Sequence, residues 1–116
     1  MKTYFVYILE CVNGAYYTGY TTDMERRYRE HCEGSEKCKY TRSFPPKRIA
    51  ACWEMRSETA SKAMRLERAI KALPKDLKKN LVANPDDLFF YIDMDKDVTK
   101  NVNRAVGCFR NHYGCL

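Results

Sequence analysis

Residues 3–31 read TYFVYILECVNGAYYTGYTTDMERRYREH, and the hydrophobic period changes within them. In an extended chain, Phe5, Tyr7, Leu9 and Cys11 fall on one face and Tyr4, Val6, Ile8 and Val12 on the other. Apolar side chains on both faces predict a central strand covered from both sides. Asn13-Gly14 is a hairpin signal, because glycine reaches positive φ without steric cost. Ala15 to Thr21, rich in Tyr and Thr, predicts the returning strand. Thr22-Asp23-Met24-Glu25 forms a capping box and Gly34 a stop, so a helix is expected to run to about Glu33. On it Met24, Arg27, Tyr28 and His31 share one face. A face with that spacing should bury a core stripe, yet Arg27 and His31 are ionisable.

The turn leaves two registers open. A two-residue turn at Asn13-Gly14 pairs Val12 with Ala15 and puts Tyr7 and Tyr17 on opposite faces. A three-residue loop, Val12-Asn13-Gly14, with Gly14 left-handed, pairs Cys11 with Ala15, Leu9 with Tyr17 and Tyr7 with Gly19, so that both phenols share a face.

Beyond the helix, residues 34–47 (GSEKCKYTRSFPPK) read as a basic loop containing Tyr40. Arg48 to Arg56 predicts a third strand around Trp53. Ser57 would cap the next helix, which is expected to run to Leu73 with Ala63, Leu66, Ala69, Ile70 and Leu73 as its apolar face. Glu67 lies at the rim of that face. Pro74 opens a short helix to about 83. Asn84-Pro85-Asp86-Asp87 then breaks the pattern. Leu88 to Met94 predicts a strand, and Val98 to Phe109 a weak helix. The expected division is 1–83 as one domain and 84–116 as a C-terminal extension. Its apolar run Leu88 to Ile92 must be covered by the domain or by a second chain, a protein partner or a homodimer.

The composition narrows the function. At 116 residues, 45% hydrophobic and 31% charged, the chain suits one domain. No apolar run of about 18 residues suggests a membrane span, and no export signal is apparent, so a cytoplasmic location with reduced thiols is expected. The six cysteines form no CxxC pair and, with His31, no zinc spacing. The net charge is +6. Residues 84–116 hold four basic and five acidic side chains, so the front carries 17 basic against 10 acidic. A basic front suits a polyanion such as nucleic acid.

Several ordered pieces resemble the GIY-YIG nuclease superfamily, in particular its small single-domain bacterial members. They are VYIL, YYTGYTTDMERRYREH, KYTR and RLERAIK, within about residues 3–83. The first motif lacks its glycine and reads VYI. The second reads YTG, with Thr for Ile. Asn80 is the nearest candidate for an asparagine the family often carries after its metal-binding glutamate.

The resemblance implies an α+β fold, a small three-stranded antiparallel sheet flanked by helices, and a metal-dependent DNA endonuclease acting on branched, nicked or flapped DNA. It implies that Glu67 holds a single Mg²⁺ or Mn²⁺, that Arg27 grips the scissile phosphate, and that Tyr7 is the general base with its phenol acidified by the metal and Arg27. Tyr17 would orient water or phosphate, and His31 would hydrogen-bond a tyrosine or the phosphate. Lys37, Lys39, Tyr40, Arg42 and Lys71 would contact DNA, with Thr41 beside them in a substrate-contacting loop. The alternative for Glu67 is a helical ion pair with Lys71. The alternative for the whole chain is a catalytically weak nucleic-acid-binding module, or a subunit whose activity needs a partner.

Overall fold

In the structure, a computed structural model that describes residues 1–105, β1 (Lys2–Cys11) lies between β2 (Tyr16–Thr21) and β3 (Pro46–Ser57). β1 pairs antiparallel with both, and a short β4 (Val102–Arg104) adds to the outer side of β3, giving the order β2-β1-β3-β4. The expected three strands form the body of the sheet, and the fourth comes from the C-terminal extension. As a central strand should, β1 buries both faces: Tyr4, Val6 and Ile8 on one, Tyr7, Leu9 and Cys11 on the other.

The hairpin takes the three-residue loop. Cys11 N–H donates to Ala15 O and Gly14 N–H to Cys11 O, both at 2.9 Å, and Gly14 has φ +82°. Leu9 therefore faces Tyr17 and Tyr7 faces Gly19. Across β1, the pairing with β3 shifts register between Ile8 and Leu9, a bulge that lets Ile49 and Cys52 share one face with Tyr7 and Leu9.

Helices cover the two faces separately. On one, α1 (Met24–Glu33) packs Met24 and Tyr28 against Tyr7, Leu9, Ile49 and Cys52. Its N-cap is Asp23, one residue later than the Thr22 of the predicted box, and the Asp23 carboxylate accepts the Arg26 N–H at 3.1 Å. Gly34 ends it at φ 69°. The expected basic loop contains a short helix, α2 (Lys39–Ser43).

On the opposite face, α3 (Ser61–Lys71) and α4 (Lys75–Ala83) bury Ala63, Leu66, Ile70 and Leu81 against Tyr4, Val6, Ile8, Trp53 and Met55. The start of α3 differs from expectation. Ser57 is the last residue of β3, paired with Lys2 and buried, so it cannot cap a helix, and α3 begins after Ala60.

The extension joins this second core. A 3-10 turn (Pro85–Asp87) leads into α5 (Leu88–Tyr91) where a strand was expected. Pro85 opens the turn, Asp86 and Asp87 stand at its positive end, and the Trp53 indole N–H donates to Pro85 O at 2.9 Å. Leu88 and Ile92, four residues apart, are buried, whereas Phe90 is 87% exposed. That is a helical spacing rather than an alternating one. The predicted helix around Val98 to Phe109 is also corrected: α6 (Lys96–Thr99) is followed by β4, and the remainder of that stretch, with Cys108 and Cys115, lies outside the described residues.

Candidate active site

β2 is an edge strand, and a cleft of about 410 Å³ wraps around that edge. Tyr7, Tyr17 and Gly19 from the hairpin, Arg26, Arg27 and Glu30 from α1, Lys37 from the following loop and Glu67 from α3 line it, together with Tyr20 to Thr22. The sheet separates α1 from α3, so Glu67 reaches the cleft past the free edge of β2. The bulged turn brings the two phenols to the α1 side. Tyr7, Tyr17, Arg27 and Glu67 thus line one space, while His31, fully buried, stands behind Tyr7 rather than in the cleft wall.

Gly19 is needed for close approach. A Cβ there would lie 2.5 Å from the Tyr7 hydroxyl and 2.7 Å from Cζ. The phenol lies across the backbone of β2, with its hydroxyl 2.8 Å from His31 Nε2. His31 Nδ1 lies 2.7 Å from Thr41 Oγ1, whose own hydroxyl donates to Cys38 O at 3.3 Å. Burial lowers the imidazole pKa to about 4, helped by the positive charge of Arg27 and opposed by Glu30. A neutral imidazole has one donor and one acceptor. In the tautomer that keeps the Thr41 proton on Cys38 O, Nδ1–H donates to Thr41. The Nε2 lone pair then accepts the Tyr7 O–H.

Arg27 by itself does not acidify Tyr7, and Thr41 takes a different place from the one expected. The Tyr7 phenol is not acidified at rest. Burial pushes its pKa well above the usual range, and the hydrogen bond and charge of Arg27 act in the opposite direction without prevailing. Thr41 is buried against His31, whose ring it orients, rather than exposed on the loop with Lys39, Tyr40 and Arg42.

Arg27 is steered by Glu30, whose carboxylate lies 3.2 Å from Nη1. Arg26, which helical spacing alone assigns to another face, lines the cleft at the first turn of α1. Glu67, with its side chain 19% exposed, lies 3.6 Å from Lys71 Nζ, longer than a charge-assisted hydrogen bond. Lys39 and Tyr40 are exposed beside the cleft, and Arg42 donates from Nε to Gly34 O at 3.2 Å, bracing the end of α1. Asn80 does not line the cleft; its backbone carbonyl caps α4 through Asn84.

A second hollow, of about 480 Å³, lies along β3 between Arg48 and Arg104. Those two arginines are already paired with Glu10 and Asp86. That hollow has no phenol in its lining, whereas cationic, phenolic and carboxylate groups face one open space in the cleft at β2.

Such a hairpin, helix and carboxylate lie around one sheet edge of a small domain of the α+β class. The model of the GIY-YIG catalytic domain matches residues 3–80, and the chain belongs to the GIY-YIG family. It is similar to the UPF0213 protein BH0048 of Halalkalibacterium halodurans, 45% identical over 80 residues that span 69% of this chain and 82% of that protein. A UPF0213 protein of Haloquadratum walsbyi, HQ_3675A, is 40% identical over 73% of this chain and 92% of its own length. A solution NMR structure of the BH0048 protein aligns with 80% of this chain and 99% of that chain at 38% identity, with a TM-score of 0.45.

Proposed function

We propose that this chain is a metal-dependent endonuclease of the cytoplasm that hydrolyses phosphodiester bonds in branched, nicked or flapped DNA, in repair or recombination. The observation that carries the reading is the hydrogen-bonded Tyr7–His31 pair, 2.8 Å apart, beside a cleft shared by Arg27 and Glu67. Residues 1–83 would carry the chemistry and 84–116 would support it.

Glu67 would hold one Mg²⁺ or Mn²⁺. A hard carboxylate oxygen on an open wall, loosely tied to Lys71, fits a cation that keeps most of its waters. When bound, the ion supplies charge neutralisation and a more acidic water. Arg27 would grip the scissile phosphate through its fork of donors, fixed by Glu30. Tyr17 would orient the phosphate or the attacking water. Tyr7 rests protonated with its proton directed at His31. It would take a proton from the attacking water as it passes its own to Nε2. Hydroxide then adds to phosphorus, the bond to the leaving oxygen breaks, and that oxygen is protonated from solvent in the cleft. Burial and Arg27 disfavour the imidazolium, so Nε2 returns its proton to Tyr7 as Tyr7 releases the water-derived proton to solvent in the cleft. Lys37, Lys39, Tyr40, Arg42 and Lys71 would hold flanking DNA.

The test is cleavage of a panel of DNA structures in Mg²⁺. Wild type should cut at least one, and Glu67→Ala and Arg27→Ala should cut none while remaining folded by circular dichroism. Full activity of Glu67→Gln would reject the one-metal assignment. One observation favours the alternative, a binding module or partner-dependent subunit: Glu67 has Lys71 as an ordinary i,i+4 ion-pair partner. That reading predicts DNA binding by wild type without cleavage unless a partner is added.

A further inference from the structure

A row of aromatic rings runs outward from the buried imidazole. Tyr17 sits with its ring centroid 5.1 Å from that of His31 and is stacked on Tyr40 at 6.0 Å with an interplanar angle of 21°. Tyr40 in turn meets Phe44 at 5.4 Å. The imidazole is enclosed and Tyr17 half-buried, but Tyr40 is 39% and Phe44 40% exposed. The platform is braced before any ligand arrives. Asn13, in the hairpin turn, donates to the Tyr40 hydroxyl at 3.1 Å, and Phe44 N–H closes the end of α2 on Tyr40 O. Lys37, Lys39 and Arg42 are exposed on the same segment.

Partly exposed aromatic rings next to lysines, joined through Tyr17 to the cleft, match the chemistry of an unpaired nucleotide. A base inside a duplex has both faces covered by its neighbours, so a surface ring cannot stack on it. An unpaired base offers its face to any ring, and the basic side chains meet its phosphates. We infer that Tyr40 and Phe44 form a stacking platform for an unpaired base, so that the DNA strand leaving the cleft on the α2 side is single-stranded. This rests on the cleft being the site of DNA cleavage, and it narrows the substrate to DNA with an unpaired segment next to the cut.

The test uses the full chain in EDTA, where metal-dependent cleavage cannot proceed. The probes are a single-stranded oligonucleotide about twelve nucleotides long carrying 5-iodouracil, and a blunt duplex of the same length. By fluorescence anisotropy, Phe44→Leu, which keeps bulk but loses the π face, should weaken single-strand binding about tenfold and duplex binding less than about twofold. Long-wavelength irradiation of wild type should cross-link the probe to Tyr40 or Phe44, mapped by mass spectrometry. Equal weakening of both probes, no weakening of either, or cross-links that avoid both Tyr40 and Phe44 would overturn the proposal. If Phe44→Leu does not fold, the wild-type cross-link map decides alone. Cross-linking at Phe44 without cleavage of any DNA in Mg²⁺ would keep the platform and remove the nuclease reading. Duplex cleavage without these binding signals would do the reverse.

Discussion

At the scale of single residues, one hydroxyl and one imidazole depend on what their neighbours lack. Gly19 has no Cβ where the Tyr7 phenol passes, and an added methyl would lie 2.5 Å from its oxygen. Because Tyr7 is fully buried, the ring cannot swing outward without disturbing the core. Gly19→Ala should therefore lower the single-turnover cleavage rate about 100-fold by moving Tyr7 away from His31, with far less change in DNA affinity. A rate within a few-fold of wild type would show that Tyr7 need not lie against β2.

His31 makes a prediction about acid stability. Its pKa falls from 6.5 in the open chain to about 4 in the fold, mainly through burial. Between those values the unfolded chain holds a proton that the folded chain does not, so stability rises with pH across that window. The contribution is present above 6.5 and lost as pH falls through about 4, roughly 3 kcal/mol in all. Urea titrations at pH 7.5 and 4.5 should show this part of the difference disappearing in His31→Gln.

At the scale of elements, the hairpin decides whether the site exists. Gly14 lies at φ +82° with nothing within 4 Å of the position of a Cβ, so its requirement is conformational alone. Gly14→Ala should cost about 1 kcal/mol, read as a melting temperature lower by about 5 °C. This contrasts with Gly19→Ala, which acts on the rate. The hairpin was legible from Asn13-Gly14, but its register was not, because both loop lengths fit the same residues. A one-residue difference sends Tyr17 to the other face. The Leu88–Met94 stretch was misread for a related reason. A short apolar run fits either period, and only its burial in the core with Trp53 and the 3-10 turn of Pro85 to Asp87 leading into it select the helix.

At the scale of the whole molecule, the described residues of the extension, 84–105, pack into the core and do not line the cleft. Leu88, Ile92 and Val98 are buried in the core under α3, and β4 pairs with β3. Every cleft residue lies between Tyr7 and Glu67. A chain ending at Ala83 should thus lose roughly 1.5–3 kcal/mol for each of those three side chains, seen as a large fall in the urea midpoint. It should still cleave in Mg²⁺ at temperatures where it remains folded. Loss of cleavage in a folded truncation would mean that the extension shapes the cleft directly. Phe90 is the apolar side chain this packing leaves most exposed among the described residues, at 87%.

The sequence by itself determined the elements whose signals are local: a two-faced central strand, a glycine turn, a helix stopped at Gly34 and a second helix with Glu67 on its rim. It also marked Arg27 and His31 as polar groups on a face that should be apolar. Periodicity and capping depend on neighbours a few residues away, so they can be read along the chain. The tertiary structure decided what depends on distant neighbours. It set the register that puts Tyr7 beside Tyr17, and it brought Glu67 around the β2 edge from the opposite face of the sheet. It also enclosed Tyr7 and His31, so that one keeps its proton and the other stays neutral. Desolvation and reach around a sheet edge are properties of the packed molecule, and no spacing in the chain encodes them locally.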